Sequence, residues 1–383
     1  MLSRRHLLAA GATSALSAFV PRIVLAQAAT ERRFVFVIQR GAADGLATVM
    51  PYADPAYGAL RGALAGDPSN AIRLDGLFAL HPALQGLGAM HQRGEALFVH
   101  AVASAYRDRS HFDAQNVLES GGTQPYQLQD GWMNRLVGLL PRRAHQALAF
   151  APTVPLALRG RAEVSSYAPS ALPSASDDLL QRVQQLYAPD PQLHALWSAA
   201  MDARGMAGGV GGRNRQDPAE LGRTVASFLA APDGPRLAMI ETGGWDTHSA
   251  QAPRLQAQLT ALDRLLEAMR TGLGEAWQQT VVLVATEFGR TAAANGTGGT
   301  DHGSGSVALL AGGAVHGGRV LADWPGLAPN ALYQGRDLQP TTSLATLIAQ
   351  AAAETFALDP QRAHTVLFPA AERGKQLPKL LRA

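Results

Sequence analysis

Residues 280–286 read Thr-Val-Val-Leu-Val-Ala-Thr and run without a break into Glu287-Phe288-Gly289-Arg290-Thr291. The run has no polar alternation, so it suits a strand buried on both faces, as in a parallel sheet between two helical layers. Four further segments share this character: 33–39 (RFVFVIQ), 96–102 (ALFVHAV), 236–241 (RLAMIE) and 306–311 (SVALLA). Helical patterns lie between them. Over 254–272, Leu255, Leu259, Leu262, Leu266 and Met269 recur at steps of four, three, four and three, which places them on one helix stripe. Over 342–356, Leu344, Leu347, Ile348 and Ala351 share a face. Strand–helix alternation of this kind predicts a three-layer α/β/α sandwich with a mostly parallel sheet.

Composition is consistent with such a core. The chain has 383 residues, 47% hydrophobic and 16% charged, with 39 Gly and 23 Pro. That is too apolar for a disordered chain. Beyond the N-terminus there is no uncharged apolar run of about 20 residues, which excludes a multi-span membrane protein. With no cysteine, a disulfide scaffold, a Cys zinc site, an iron–sulfur cluster and a thiol nucleophile are all excluded. An aromatic fraction of 6% disfavours a base-stacking platform.

The net charge of +3 is concentrated at one end. Residues 1–29 hold Arg4, Arg5 and Arg22 and no acid; without these three, the 33 basic residues fall to 30, against 30 acidic ones. Basicity therefore argues for neither a nucleic-acid partner nor an anionic membrane. Arg4-Arg5, the uncharged stretch Leu7 to Val20, and Val24-Leu25-Ala26 resemble a bacterial twin-arginine export signal with a small-residue cleavage site over residues 1–26. The expectation is a periplasmic or secreted protein that meets the twin-arginine translocase during export and keeps no membrane span after processing. A protein exported folded can load its metal in the cytoplasm.

The mature chain, 27–383, reads as one domain with an insertion at about 152–217. This stretch is Pro- and Ser-rich at first, helical from 177 to 204, and glycine-rich at 205–212 (GMAGGVGG). Neither G-x-x-x-x-G-K-[ST] nor a strand-linked G-x-G-x-x-G occurs, so no nucleotide cofactor is expected.

Chemistry-bearing residues collect just past the strands, where open α/β sheets place their sites. Strand 33–39 leads to Asp44, 96–102 to Arg109 and Ser110, 236–241 to Asp246 and His248, and 280–286 to Glu287 and Arg290; His302 precedes 306–311. Carboxylate and imidazole in tight glycine loops suit a divalent ion, Zn or Mn over Mg or Ca. Each also has a bland reading. Asp246 could be a turn or cap residue, His248 and His302 satisfied loop histidines, and Asp44 a turn aspartate. Ser110-His111-Phe112-Asp113 matches a capping box, yet a hydroxyl at a helix start is also well placed as a nucleophile. Arg109 and Arg290 are the candidates for clamping an anionic substrate.

Together, R-G-A-A-D-G-L-A (40–47), R-S-H-F-D-A-Q (109–115), G-G-W-D-T-H (243–248), E-F-G-R-T (287–291), D-H-G (301–303) and W-P-G-L (324–327) resemble the exported domain-of-unknown-function 1501 family. That family is similar to a distant branch of the alkaline phosphatase and sulfatase superfamily, whose members hydrolyse phosphate or sulfate esters at two metals. The resemblance implies an alkaline-phosphatase-like fold, Asp44, Asp246, His248, Glu287 and His302 as metal ligands, and Ser110 as nucleophile. Two departures stand out. Glu287-Phe288 replaces the usual Asp-His, so the second metal would lose an imidazole. The Asp246–His248 spacing is also shorter than usual. The implied protein is a metal-dependent hydrolase of small anionic esters with one complete metal site. The alternatives are a degenerate, non-catalytic metal-binding or assembly protein on the same scaffold, and a metal-free serine hydrolase pairing Ser110 with His302 or His248. No G-x-S-x-G elbow supports the last.

Overall fold

The computed structural model describes residues 30–67, 69–141, 146–168, 183–184, 186–198 and 217–382. The proposed export signal lies outside these, as does much of the 152–217 stretch. Contacts divide the chain into residues 1–30 and 31–383, and the second unit is described below. Among the described residues no helix is long and apolar enough to cross a membrane.

The main sheet is built from β1 (Arg33–Gln39), β2 (Ala96–Ala103), β3 (Ala147–Phe150), β4 (Ser165–Ser166), β5 (Leu237–Thr242), β6 (Thr280–Thr286), β7 (Ser306–Ala311), β8 (Arg319–Leu321) and β9 (Thr342–Ser343). Their spatial order is β8-β2-β7-β6-β1-β5-β3-β4, with β9 also beside β2. β1 pairs in parallel with β5 and β6, in registers such as Val37 with Ile240 and with Val284. The apolar run 306–311 forms the strand its sequence predicts, but β7 lies antiparallel to both neighbours, β2 and β6. A doubly buried strand reads the same in either direction.

Alternation along the central strands creates the layers. Phe34, Phe36 and Ile38 of β1 face one core with α3 (Trp132–Leu139) and α6 (Leu344–Phe356), packing near Trp132, Leu136, Leu347 and Ile348. The Phe36 ring meets Trp132 edge-on with centroids 5.2 Å apart. Val35 and Val37 face the other core, with α1 (Gln85–Gln92), α4 (Pro218–Ala230) and α5 (Gln251–Leu273). Both faces of the sheet are thus covered, giving the three layers the apolar strands demand. Each fully buried Leu or Phe contributes about 1.5–3 kcal/mol.

α5 starts at Gln251, three residues before the apolar stripe predicts, because Pro253 sits in the first turn, where a missing N–H costs nothing. α2 (His111–Ser120) and α7 (Pro360–Leu367) complete the main helices. Within 152–217, Ser165–Ser166 extends the sheet edge beside β3 and residues 191–198 are helical.

Candidate metal centre

The antiparallel course of β7 decides what meets at the sheet edge. β1, β2, β5 and β6 all end there, and β7 begins there, so the loop before β7 faces the loops after the others. His302 precedes β7, Asp246 and His248 follow β5, and His111 opens α2 after β2. Glycines let these loops close on one another. A Cβ on Gly299 would lie 2.3 Å from the His248 backbone, and one on Gly303 would lie 2.3 Å from the Arg290 backbone.

Three imidazoles converge there. His302 Nε2 lies 3.0 Å from His111 Nε2 and 2.9 Å from His248 Nε2. Asp246 Oδ1 is 3.0 Å from His248 Nε2 and 3.4 Å from His302 Nε2, and its Oδ2 is 3.6 Å from His111 Nε2. Ligand atoms of His111, Asp246 and His302 all fall within 4.8 Å of one another. The group is partly open to solvent, with side-chain exposures of 23% for His111, 45% for His248, 26% for His302 and 43% for Asp246.

Each ring is held from behind. His302 Nδ1 contacts the Arg109 carbonyl at 3.0 Å. A carbonyl can only accept, so Nδ1 carries the proton and Nε2 presents a lone pair. His111 Nδ1 donates to Glu287 Oε1 at 2.8 Å, and His248 Nδ1 to Asp301 Oδ1 at 3.2 Å. Both remaining Nε2 atoms face the cluster. Arg109 adopts φ +61° to aim its carbonyl, a left-handed conformation that costs roughly 1–2 kcal/mol in a residue with a Cβ.

The titration shifts follow from these contacts. The Glu287 hydrogen bond holds His111 above the usual imidazole range. Burial holds His302 below it, assisted by His111 and Arg290. Burial alone would raise Asp246, but the Arg290 bond outweighs it and keeps the carboxylate low. Burial likewise opposes ionisation of Glu287, and hydrogen bonds from His111, Gln115 and Gly41 reverse the balance.

Of the residues singled out in the sequence, Asp246, His248 and His302 come together, and the others take different places. Glu287 is fully buried. Its Oε1 accepts from Gly41 N at 2.8 Å, His111 Nδ1 and Gln115 Nε2 at 3.0 Å, and its Oε2 from Thr286 Oγ1 at 2.9 Å. It thereby fixes the His111 ring from behind. Asp44 is sealed away, pairing with Arg61, taking 2.6 Å from Gln251 Nε2, and capping Gly45–Thr48 through Ala47 N at 3.1 Å. Its contacts are with Arg61, Gln251 and Ala47, apart from the imidazole cluster.

Both arginines are paired with carboxylates. Arg109 binds buried Asp337 through Nε at 2.9 Å and Nη2 at 2.7 Å. Arg290, 1% exposed, spends Nη1 on Asp246 at 2.7 Å and Nε and Nη2 on Thr300 at 3.1 and 2.7 Å. Ser110 is the N-cap residue of α2 but its side chain makes no capping bond. The box is not closed, because Asp113 turns to the Tyr106 hydroxyl at 3.3 Å. Burial raises the Tyr106 phenol, and neighbouring Ser110 opposes that shift.

The residue missed in the sequence is His111. It sits inside R-S-H-F-D-A-Q beside Ser110, and the local capping pattern explained the stretch without it. At the position where an Asp-His pair would bring a second imidazole, the Phe288 ring stacks on His111 with centroids 4.9 Å apart and lies 5.1 Å from His302. Three inward Nε2 atoms and one carboxylate, with every Nδ1 fixed from behind, form a donor set suited to one Zn or Mn ion.

No similar sequence was found among curated proteins. Among solved structures, the chain is similar to the C-terminal periplasmic domain of EptC from Escherichia coli in complex with Zn (10% identity, covering 93% of each chain, TM-score 0.40). It is also similar to the PsFucS1 sulfatase from Pseudoalteromonas sp. (11% identity, 91% of this chain and 73% of that one, TM-score 0.37). A third is the phosphonate monoester hydrolase of Agrobacterium radiobacter (10% identity, 76% and 70%, TM-score 0.33). The family described as "Protein of unknown function (DUF1501)" matches residues 6–367, and the chain belongs to it.

Proposed function

We propose that this chain is an exported, mononuclear metal-dependent hydrolase of phosphate or sulfate monoesters, with His111, His248, His302 and Asp246 holding the ion. One observation carries the reading: ligand atoms of His111, Asp246 and His302 lie within 4.8 Å of one another, and His248 Nε2 adds to them at 2.9 Å from His302 Nε2 and 3.0 Å from Asp246 Oδ1, a crowding of imidazole and carboxylate that suits a cation. A single ion is favoured because Phe288 stands beside His111 and the carboxylates of Glu287 and Asp44 are engaged with protein donors, and among the described residues one group of ligand atoms converges. When bound, the ion would supply Lewis-acid polarisation of an ester oxygen.

The chain's own residues supply the rest. Ser110, at the start of a ten-residue helix, offers the nucleophilic hydroxyl, and the unpaired N–H groups of the first turn favour negative charge beside it. Glu287 and the Arg109 carbonyl fix the rings of His111 and His302, so no reorientation accompanies binding. Against the metal-free serine hydrolase pairing Ser110 with His302 or His248 stands the engagement of both rings with other groups: His302 holds Arg109 and two other rings, and His248 holds Asp301 and His302.

A second reading has its own observation. Arg109 and Arg290 are both tied to carboxylates, which fits a protein that binds a metal without turning over an anion. Elemental analysis of protein purified from its native host, with hydrolysis of p-nitrophenyl phosphate and sulfate, separates the two. The hydrolase reading expects about one metal per chain and turnover lost in Ser110→Ala and His302→Ala. Metal without turnover supports the binding protein, and a metal-free, inert chain refutes both.

A further inference from the structure

Behind the open cluster runs a second polar chain, entirely buried. Arg61 pairs with Asp44. Gln251 Nε2 donates to Asp44 Oδ2 at 2.6 Å, and Gln251 Oε1 accepts from Thr300 Oγ1 at 2.6 Å and Thr247 Oγ1 at 2.9 Å. Thr300 Oγ1 in turn accepts from Arg290 Nε at 3.1 Å, and Arg290 Nη1 reaches Asp246 Oδ1 at 2.7 Å. Gln251 and Thr300 are 0% exposed, so water cannot substitute for a missing link.

The direction of every bond is fixed from the Asp44 end. The carboxylate accepts, so the Gln251 NH2 group must face it and the amide oxygen must face the threonines. The oxygen then takes the Thr300 proton, which leaves a lone pair on Thr300 Oγ1 for Arg290. The Thr300 carbonyl holds Nη2 at 2.7 Å, and the guanidinium plane is set with Nη1 under Asp246.

We propose that Gln251 and Thr300 are positioning residues for the metal centre: they transmit the orientation of the sealed Asp44–Arg61 pair to Arg290 and hold Asp246 in its ligating pose. Asp44 thereby serves the site as a remote anchor. This rests on the metal reading above, and its test must separate the two.

The test is Zn2+ affinity, measured by competition with a chromophoric chelator on the full chain. Thr300→Val removes the hydroxyl at nearly constant volume and is expected to weaken Zn2+ binding about 10-fold, the lower end of losses seen when groups behind metal ligands are removed. Thr300→Ser keeps the hydroxyl and is expected to restore wild-type affinity. Thr48→Val is the control. It removes another buried hydroxyl beside Asp44, bonded to the Asp44 carbonyl at 2.7 Å and outside the path to Arg290, and is expected to leave affinity unchanged. Should Thr300→Val fail to fold, Thr300→Ala lacks the same hydroxyl with less bulk and carries the same expectation. A wild-type chain that binds Zn2+ while the Thr300 variant binds it equally well overturns the relay and spares the metal reading. Equal losses in the Thr300 and Thr48 variants also overturn it, since general loosening then explains both. A wild-type chain that binds no Zn2+ overturns relay and metal reading together.

Discussion

Asp44 and Asp246 follow neighbouring strands of the sheet, and each has an arginine partner, yet they lead different lives. Asp44 is 1% exposed and its acceptors meet Arg61, Gln251 and a backbone N–H. Asp246 has a side chain 43% exposed, receives Arg290 alone from behind, and otherwise faces the ring nitrogens of His111, His248 and His302. What separates a structural carboxylate from a candidate ligand is whether protein donors run out. Around Asp44 they suffice; around Asp246 one protein donor, Arg290, meets the carboxylate from behind and three imidazoles crowd its open side. The histidines divide in the same way. His100 is fully buried with Nε2 on the Val49 carbonyl at 2.9 Å and Nδ1 accepting from Ala101 N at 2.8 Å, whereas His302 turns one nitrogen toward two other rings.

The largest effect should come from breaking the sealed pair. Asp44→Ala leaves Arg61 buried and uncompensated, and is expected to cost about 3–5 kcal/mol in urea unfolding. Asp246→Ala, at the open site, is expected to cost clearly less stability while abolishing metal binding. Equal costs would erase the distinction between the two aspartates.

Next comes the sealed histidine. Burial pushes the His100 imidazole down to about 4 from the ordinary 6.5. Below pH 6.5 the unfolded chain takes up a proton that the folded chain refuses. This contribution is therefore complete above that pH and is lost as acid moves from 6.5 toward 4, by about 3 kcal/mol in all. His100→Gln keeps a donor and an acceptor without titrating, and should flatten that part of the pH–stability curve. An unchanged slope would contradict the burial argument.

The open cluster predicts a ligand effect of similar size. Zn2+ at a hundredfold excess over its Kd should stabilise the wild-type chain by about 2.7 kcal/mol, seen as a rise in Tm that a chelator reverses. His302→Ala should show no rise. The smallest effect belongs to the group behind the cluster. Glu287→Gln keeps the volume but gives His111 a weaker acceptor, and should loosen Zn2+ binding about 10-fold with nearly normal folding. A fully abolished metal site in that variant would instead make Glu287 a direct ligand.

Some of this was legible in the chain itself. The run Thr280–Thr286 appears as the strand its uninterrupted apolar character predicts, because burial on both faces leaves its mark residue by residue. The stripe from Leu255 to Met269 announces α5 for the same reason, since helical period is a local property. Asp246, His248 and His302 stood out because glycines crowd around them. His111 did not, since its neighbours already satisfied a local capping pattern, and Asp44 was placed with the ligands although its partners are 17 and 207 positions away.

What the sequence determined by itself was the layered α/β architecture and the kind of atoms gathered at one edge of the sheet, both of which follow from periodicity and side-chain chemistry. Only the tertiary structure decided which of those atoms share a point. The antiparallel run of β7 carries His302 to His111, while long-range donors hold Asp44 and Glu287 and long-range acceptors hold Arg109 and Arg290. Donor and acceptor balance is settled by neighbours in space, and no window of sequence contains them.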